Sequence, residues 1–113
     1  MKALKQEAKN KTVGILGFGT IGRGVALRAA GMQMRVCAVD AYPPKEVPPY
    51  MAWVGDDAQL PRLLAESDFL VVAVPLLPQT RGMIGVKELS LMKPHAVVIN
   101  VARGPILDEA RTG

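Results

Sequence analysis

The chain has one cysteine, one histidine, one tryptophan and only 4% aromatic residues among its 113. A lone Cys37 closes no internal disulfide, and one Cys with one His supplies no zinc framework. Stability must therefore come from packed apolar residues, which suits a reducing, cytoplasmic setting. Cys37 itself lies inside MRVCAVD, where a free thiol reads as a packing group rather than a reactive one. Basic clusters are missing too. The net charge is +4, but Lys and Arg are scattered and aromatics do not interleave them, so no nucleic-acid footprint is present. A modest attraction for anionic ligands is the stronger implication. No apolar run reaches the roughly 18 residues of a membrane span. The opening MKALKQEAKNK is basic without an apolar stretch behind it, so it does not read as a secretory signal. No repeat, low-complexity tract or interdomain linker is visible.

What is present is apolar material in a regular rhythm. Half of the residues are hydrophobic, enough for one domain over residues 1–113. Strand-like runs are expected at residues 12–17 (TVGILG), 34–39, 51–54 (MAWV, weakly), 68–74 (DFLVVAV) and 96–101 (AVVINV). Their near-continuous hydrophobicity is that of strands covered on both faces, hence of a parallel sheet. Between them come short helical patterns. Residues 21–30 would place Ile21, Val25, Ala29 and Met32 on one face, with Gly31 as the stop. Residues 61–66 start with Pro61 in a first turn and turn Leu60, Leu63 and Leu64 to the sheet. GVKELSLM makes a third short helix before Pro94. AYPPKEVPPY, with Pro43, Pro44, Pro48 and Pro49, can only be a loop. Alternation of this kind predicts a doubly wound α/β sheet of the Rossmann type, strand order 3-2-1-4-5, with right-handed crossovers. The order reverses between the first and fourth strands, which opens a ligand crevice at their carboxyl ends.

One turn in that frame carries chemistry. Gly17-Phe18-Gly19-Thr20-Ile21-Gly22 is a G-x-G-x-x-G pattern, weak alone but here set between a strand and an amphipathic helix. Gly17 permits the tight turn, Gly19 lets a diphosphate approach the backbone, and Gly22 lets the helix pack on the strand. The N–H groups of Thr20 and Ile21 then face the phosphates with the helix dipole behind them. Asp40 ends the second strand, eighteen residues after Gly22. A carboxylate there can accept from both adenosine ribose hydroxyls and would repel a 2′-phosphate. No Arg or Lys follows it directly, so NAD is favoured over NADP as the cofactor. A turn-forming Asp ahead of AYPP is the plainer alternative for this position.

With the glycine turn and Asp40 in place, VPLLPQTRGMIG and LMKPHAVVINVARGPILDE complete a pattern that resembles the NAD-binding domain of the D-isomer-specific 2-hydroxyacid dehydrogenases, over residues 11–109. The family includes phosphoglycerate dehydrogenases and glyoxylate and hydroxypyruvate reductases. The last two blocks are far more specific than the glycines. The resemblance implies that Val74, Pro75 and Thr80 border the cofactor cleft and that Val101 and Ala102 line its nicotinamide end. It places the catalytic arginine of N-V-A-R-G on Arg103. A forked guanidinium there can hold a substrate carboxylate in two hydrogen bonds while polarising the 2-oxo group. The implied reaction is hydride transfer between NAD(H) and a D-2-hydroxy or 2-oxo acid, in a parent expected to be a homodimer.

The sequence departs from the pattern in places. His95 stands where a small residue is common and is expected to be a solvent-facing turn residue, not the family's catalytic histidine. Ala73 stands where many members have His, and the tail DEARTG replaces an apolar helix. The family's catalytic Glu and His lie on later segments, and its substrate domain flanks this one. The reading therefore expects a truncated unit that binds NAD but is not competent alone, with an apolar fifth strand left as a sheet edge prone to pairing with other chains. A non-catalytic NAD(H)-sensing module, as in dehydrogenase-like corepressors, is the alternative. A Rossmann domain for another adenosine ligand leaves the Thr80 and Arg103 blocks without a purpose.

Overall fold

The computed structural model describes residues 9–74 and 85–101. Five parallel strands, β1 (Thr12–Leu16), β2 (Arg35–Val39), β3 (Trp53–Gly55), β4 (Phe69–Val72) and β5 (Val97–Asn100), form one sheet in the order β3-β2-β1-β4-β5. Helices α1 (Thr20–Gly31), α2 (Leu60–Glu66) and α3 (Val86–Leu89) lie between them, with a short 3-10 turn at Asp57–Gln59 leading into α2. The expected order and sheet class are those observed.

The sheet has a core on each side because its strands alternate two sets of apolar residues. Val13, Ile15, Val36, Ala38 and Val71 pack with Ala26 and Ala29 of α1, together with Phe18 and Met51. Leu16, Cys37, Val39, Leu70 and Val72 pack with Leu63 and Leu64 of α2. β1 is buried along its whole length and pairs with β2 and β4 in unbroken register, Leu16 opposite both Val39 and Val72. Cys37 is fully buried within this core, and burial raises its thiol to about 12, outweighing the lowering influence of Arg35.

Several local expectations are corrected. On α1 the expected Ala29 is buried and Val25 packs against the core, but the face is completed by Gly22 and Ala26, whereas Ile21 is 56% exposed. A Cβ on Gly22 would run into the carbonyl of Gly17 and crowd Ile15. That close approach turns the helix so that its smallest residues, not its largest, meet β1. α1 ends at Gly31 as expected, but Gly31 is not the residue that reverses the chain. The chain reverses at Gln33, in the left-handed region at φ 63°, where the N–H groups of Gln33 and Met34 close onto the carbonyls of Ala30 and Ala29. The third strand starts two residues later than expected and ends one later, and Met51 is a core residue instead. The first strand ends at Leu16 because Gly17 already turns, at φ 100°. β4 is shorter than its apolar run.

Candidate functional site

The carboxyl ends of β1, β2, β4 and β5 come together on one rim of the sheet, and most of the described residues singled out by sequence lie there. Gly17 is held at two points. Its N–H donates to the carbonyl of Val39 at 2.7 Å, and its Cα faces the next strand so closely that a Cβ would stand 2.8 Å from the backbone nitrogen of Val74 and 2.9 Å from the carbonyl carbon of Ala73. With φ at 100°, no residue bearing a side chain adopts this conformation without strain. Val74, two residues past the end of β4, thus forms the wall behind the glycine turn.

Gly19 is the contrasting case. It caps α1 in an extended conformation, φ −89° and ψ −156°, with no side-chain cap. Nothing lies within 4 Å of where its Cβ would be. The first helical bond runs from Arg23 N–H to Gly19 C=O at 2.8 Å, so the N–H groups of Thr20, Ile21 and Gly22 point out of the helix start without intrahelical acceptors. No acidic side chain occupies the first turn. A bare backbone, outward amides and a positive dipole end make a cradle suited to an anion such as a diphosphate.

Asp40 stands beside this cradle at the end of β2, half-buried. Its own N–H donates to Gly55 C=O at 3.0 Å. Its Oδ2 accepts the N–H of Phe18 at 2.7 Å and its Oδ1 accepts the N–H of Tyr42 at 2.8 Å. The Tyr42 bond is the local turn contact an Asp makes two residues ahead; the Phe18 bond reaches across to the glycine turn. Each carboxylate oxygen keeps a second lone pair for a ligand hydroxyl. The residues present therefore fit an adenosine diphosphate moiety. Val101 continues the rim, its N–H donating to Val72 C=O at 3.0 Å, with its side chain exposed. Pro75, Thr80, Ala102 and Arg103 lie outside the described residues.

Phe18, an unspecified position between the two glycines of the motif, also takes part in the turn. Its ring is buried in the α1-side core, and the Arg23 guanidinium stacks over it at 4.4 Å from the centroid. The signal was a large apolar residue inside a motif whose other positions are small.

Two further charged clusters lie at the opposite end of the sheet. Asp68 Oδ2 accepts the N–H of Thr12 at 2.8 Å, while Lys93 Nζ and His95 Nε2 stand 3.2 and 3.0 Å from its Oδ1. Burial alone would raise its carboxyl; the Thr12 amide, His95 and Lys93 outweigh that and hold it at about 2. His95 is thus exposed, as expected of a turn residue, but it leans on a carboxylate rather than standing free. Glu66 gathers Arg35, Arg62 and the Trp53 indole N–H at 2.7, 2.8 and 3.0 Å. Burial again pushes upward and these three partners prevail, leaving it at about 2. Both clusters tie strand starts together, and neither reaches the rim where Gly17 and Asp40 sit. Among the described residues no group of three His, Cys, Asp or Glu could hold a metal ion, and no helix is long and apolar enough to cross a membrane.

Comparison with known proteins agrees with this geometry. The family described as D-isomer specific 2-hydroxyacid dehydrogenase, NAD binding domain, matches residues 1–111. A glyoxylate reductase of Thermococcus gammatolerans is 44% identical over 105 residues, covering 93% of this chain and 31% of that protein. Among solved structures, a D-isomer specific 2-hydroxyacid dehydrogenase from Xanthobacter autotrophicus, in complex with NADPH, superposes with a TM-score of 0.81 at 36% identity, covering 88% of this chain and 40% of the other. The NAD-complexed enzyme of the same description from Lactobacillus delbrueckii gives 0.77 at 38% identity, covering 87% and 28%. The chain spans about a third of the length of such relatives.

Proposed function

Because the chain belongs to the D-isomer specific 2-hydroxyacid dehydrogenases as their NAD binding domain, we propose that it is the cofactor half of an oxidoreductase that moves a hydride between NAD(H) and a small D-2-hydroxy or 2-oxo acid. The observation that carries this reading is the pairing of an open Gly19 cradle with a carboxylate, Asp40, fixed beside it. The outward amides of Thr20 and Ile21 would take the diphosphate, and the free lone pairs of Asp40 the ribose hydroxyls. Asp40 would also repel a 2′-phosphate, so NADH is preferred to NADPH.

When bound, the nicotinamide supplies or accepts the hydride. The chain's part is to place it. Val74 and Val101 stand just past the carboxyl ends of β4 and β5, and the family resemblance assigns Pro75, Thr80 and Ala102 to the cofactor cleft. Arg103 is proposed to hold the substrate carboxylate in a bidentate grip and polarise its 2-oxo oxygen, setting the carbonyl carbon within reach of hydride. Proton transfer to the oxygen needs a general acid, worth about 10²–10⁴-fold in rate. The family resemblance assigns that role to a histidine on a later segment and not to His95, which leans on Asp68 at the far end of the sheet. We accordingly propose a homodimeric, cytoplasmic parent in which these residues act with a second, substrate-binding domain.

The test is NADH oxidation by glyoxylate or hydroxypyruvate in the polypeptide that carries the complete substrate site, wild type against Arg103→Gln. Loss of about 10²-fold or more in kcat/KM, ~3 kcal/mol of transition-state stabilisation, is expected. An Arg103→Gln rate within a factor of two of wild type removes the arginine from the mechanism.

A further inference from the structure

We propose that Asp40 has a second task, that of bracing the phosphate turn, so that the carboxylate expected to read the ribose also sets the shape of the cradle for the diphosphate. The inference rests on the dinucleotide reading of this cleft for its nucleotide arm and on geometry alone for the rest.

Phe18 separates the two glycines, and the turn's form depends on how that one residue is held. Gly17 is constrained by its bond to Val39 and by Val74 behind it. Gly19 has open space around it and no side chain of its own. Phe18 is gripped at both ends. Its ring is sunk in the core beneath Arg23, and its N–H is taken by Asp40 Oδ2 at 2.7 Å. The post itself is rigid: Asp40 N–H is pinned to Gly55 C=O, and Oδ1 is fixed by Tyr42 N–H. A bond from an amide to an ionised carboxylate is among the stronger hydrogen bonds a loop can have. Without it the Phe18 N–H loses its acceptor, and the Gly17–Phe18 peptide, one residue ahead of Gly19, is released from its anchor.

Bracing and ribose reading do not compete. A carboxylate offers about four lone-pair sites; two serve the Phe18 and Tyr42 amides, and one on each oxygen remains for a hydroxyl. The two roles nevertheless predict opposite behaviour toward NADPH. If Asp40 only reads the ribose, removing its charge relieves repulsion of the 2′-phosphate and NADPH binds more tightly. If Asp40 also braces the turn, NADPH is weakened as well, because the diphosphate cradle serves both cofactors. Asn is a poor substitute, since its amide nitrogen would face one of two backbone donors.

The experiment compares wild type with Asp40→Ala and Asp40→Asn by titration with NADH and with NADPH, and by amide proton resonances and hydrogen exchange in the absence of nucleotide. The brace predicts that both variants lose affinity for NADPH by about 10-fold or more, the scale of one hydrogen bond to a charged group, and for NADH by more. It also predicts that the Phe18 amide resonance moves upfield and exchanges at least about tenfold faster, while the amides of Ile15 and Val36 in the sheet hold their positions and so show an intact fold. NADPH affinity unchanged or increased in Asp40→Ala, or a Phe18 amide unchanged in shift and exchange, overturns the brace. Should wild type bind neither nucleotide, the dinucleotide reading falls, and the Phe18 amide alone still decides the brace.

Discussion

Replacing Gly17 and Gly19 with alanine, one at a time, should separate folding from binding within a single motif. At Gly17 the new Cβ would sit at φ 100°, 2.8 Å from the backbone nitrogen of Val74 and 2.9 Å from the carbonyl carbon of Ala73. The conformational strain is about 1–3 kcal/mol. The overlap is with backbone that cannot rotate aside, so overpacking adds about 1–3 kcal/mol. Gly17→Ala should therefore lose about 2–6 kcal/mol, a large part of the 5–15 kcal/mol typical of a domain. At Gly19 the backbone is extended and nothing lies within 4 Å of the added methyl. The change there is that of a glycine N-cap replaced by alanine, about 1 kcal/mol or less. That open space is where a diphosphate must approach, so Gly19→Ala should cut NADH affinity by at least about tenfold, ~1.4 kcal/mol. Urea unfolding followed by circular dichroism, with NADH titration of the folded variants, reads both quantities. A Gly17→Ala protein within about 0.5 kcal/mol of wild type, or a Gly19→Ala protein that binds NADH normally, would refute the division of labour argued for these two glycines.

Other outcomes follow from the charged clusters, the thiol and the outer strand. Asp68 and Glu66 are both held at about 2, below their ordinary values of 3.8 and 4.5, so their stabilisation is complete above those ordinary values and is lost as pH falls toward about 2. For Asp68 alone this is ~2–3 kcal/mol; urea midpoints should drop steeply below about pH 4, and Asp68→Asn should flatten that slope, an unchanged acid profile contradicting the account. Cys37 should resist alkylation in the native state and react readily in urea, because burial keeps its thiol at about 12; equal rates in both states would show that the core opens. Among the described residues β5 is one of the two outer strands, and Val97 and Ile99 are exposed on it, so Ile99→Lys should reduce concentration-dependent association in light scattering. A wild-type protein monodisperse as a monomer at high concentration would remove that expectation.

The parts of this molecule legible in its sequence are those governed by burial on both faces. β1, β2 and β4 are apolar at nearly every position, which implied a parallel sheet, and their alternation with helical segments implied its order. Gly17 and Asp40 were legible as types at a spacing. What the sequence did not disclose was their contacts. The backbone of Val74 lies against Gly17 across fifty-seven residues of chain, and no local pattern reports it. The α1 face was misjudged because Gly22, Ala26 and Ala29 are small, so a scale that weights large apolar residues ranks Ile21 above them although it is solvent-exposed. Asp68 draws in Lys93 and His95 from 25 and 27 residues away, a cluster made by β4 and β5 lying side by side rather than by any motif. Gly14 went unremarked, yet a Cβ there would strike the Ser67 hydroxyl, which donates to Leu63 C=O at 2.6 Å where α2 closes on β1.

The most direct test of the central claim is calorimetric titration of the folded protein with NADH and NADPH. The account predicts a saturable one-site heat with NADH and weaker but measurable binding of NADPH, set apart by the carboxylate of Asp40. No heat with either dinucleotide, on material whose circular dichroism shows an intact sheet, would contradict it.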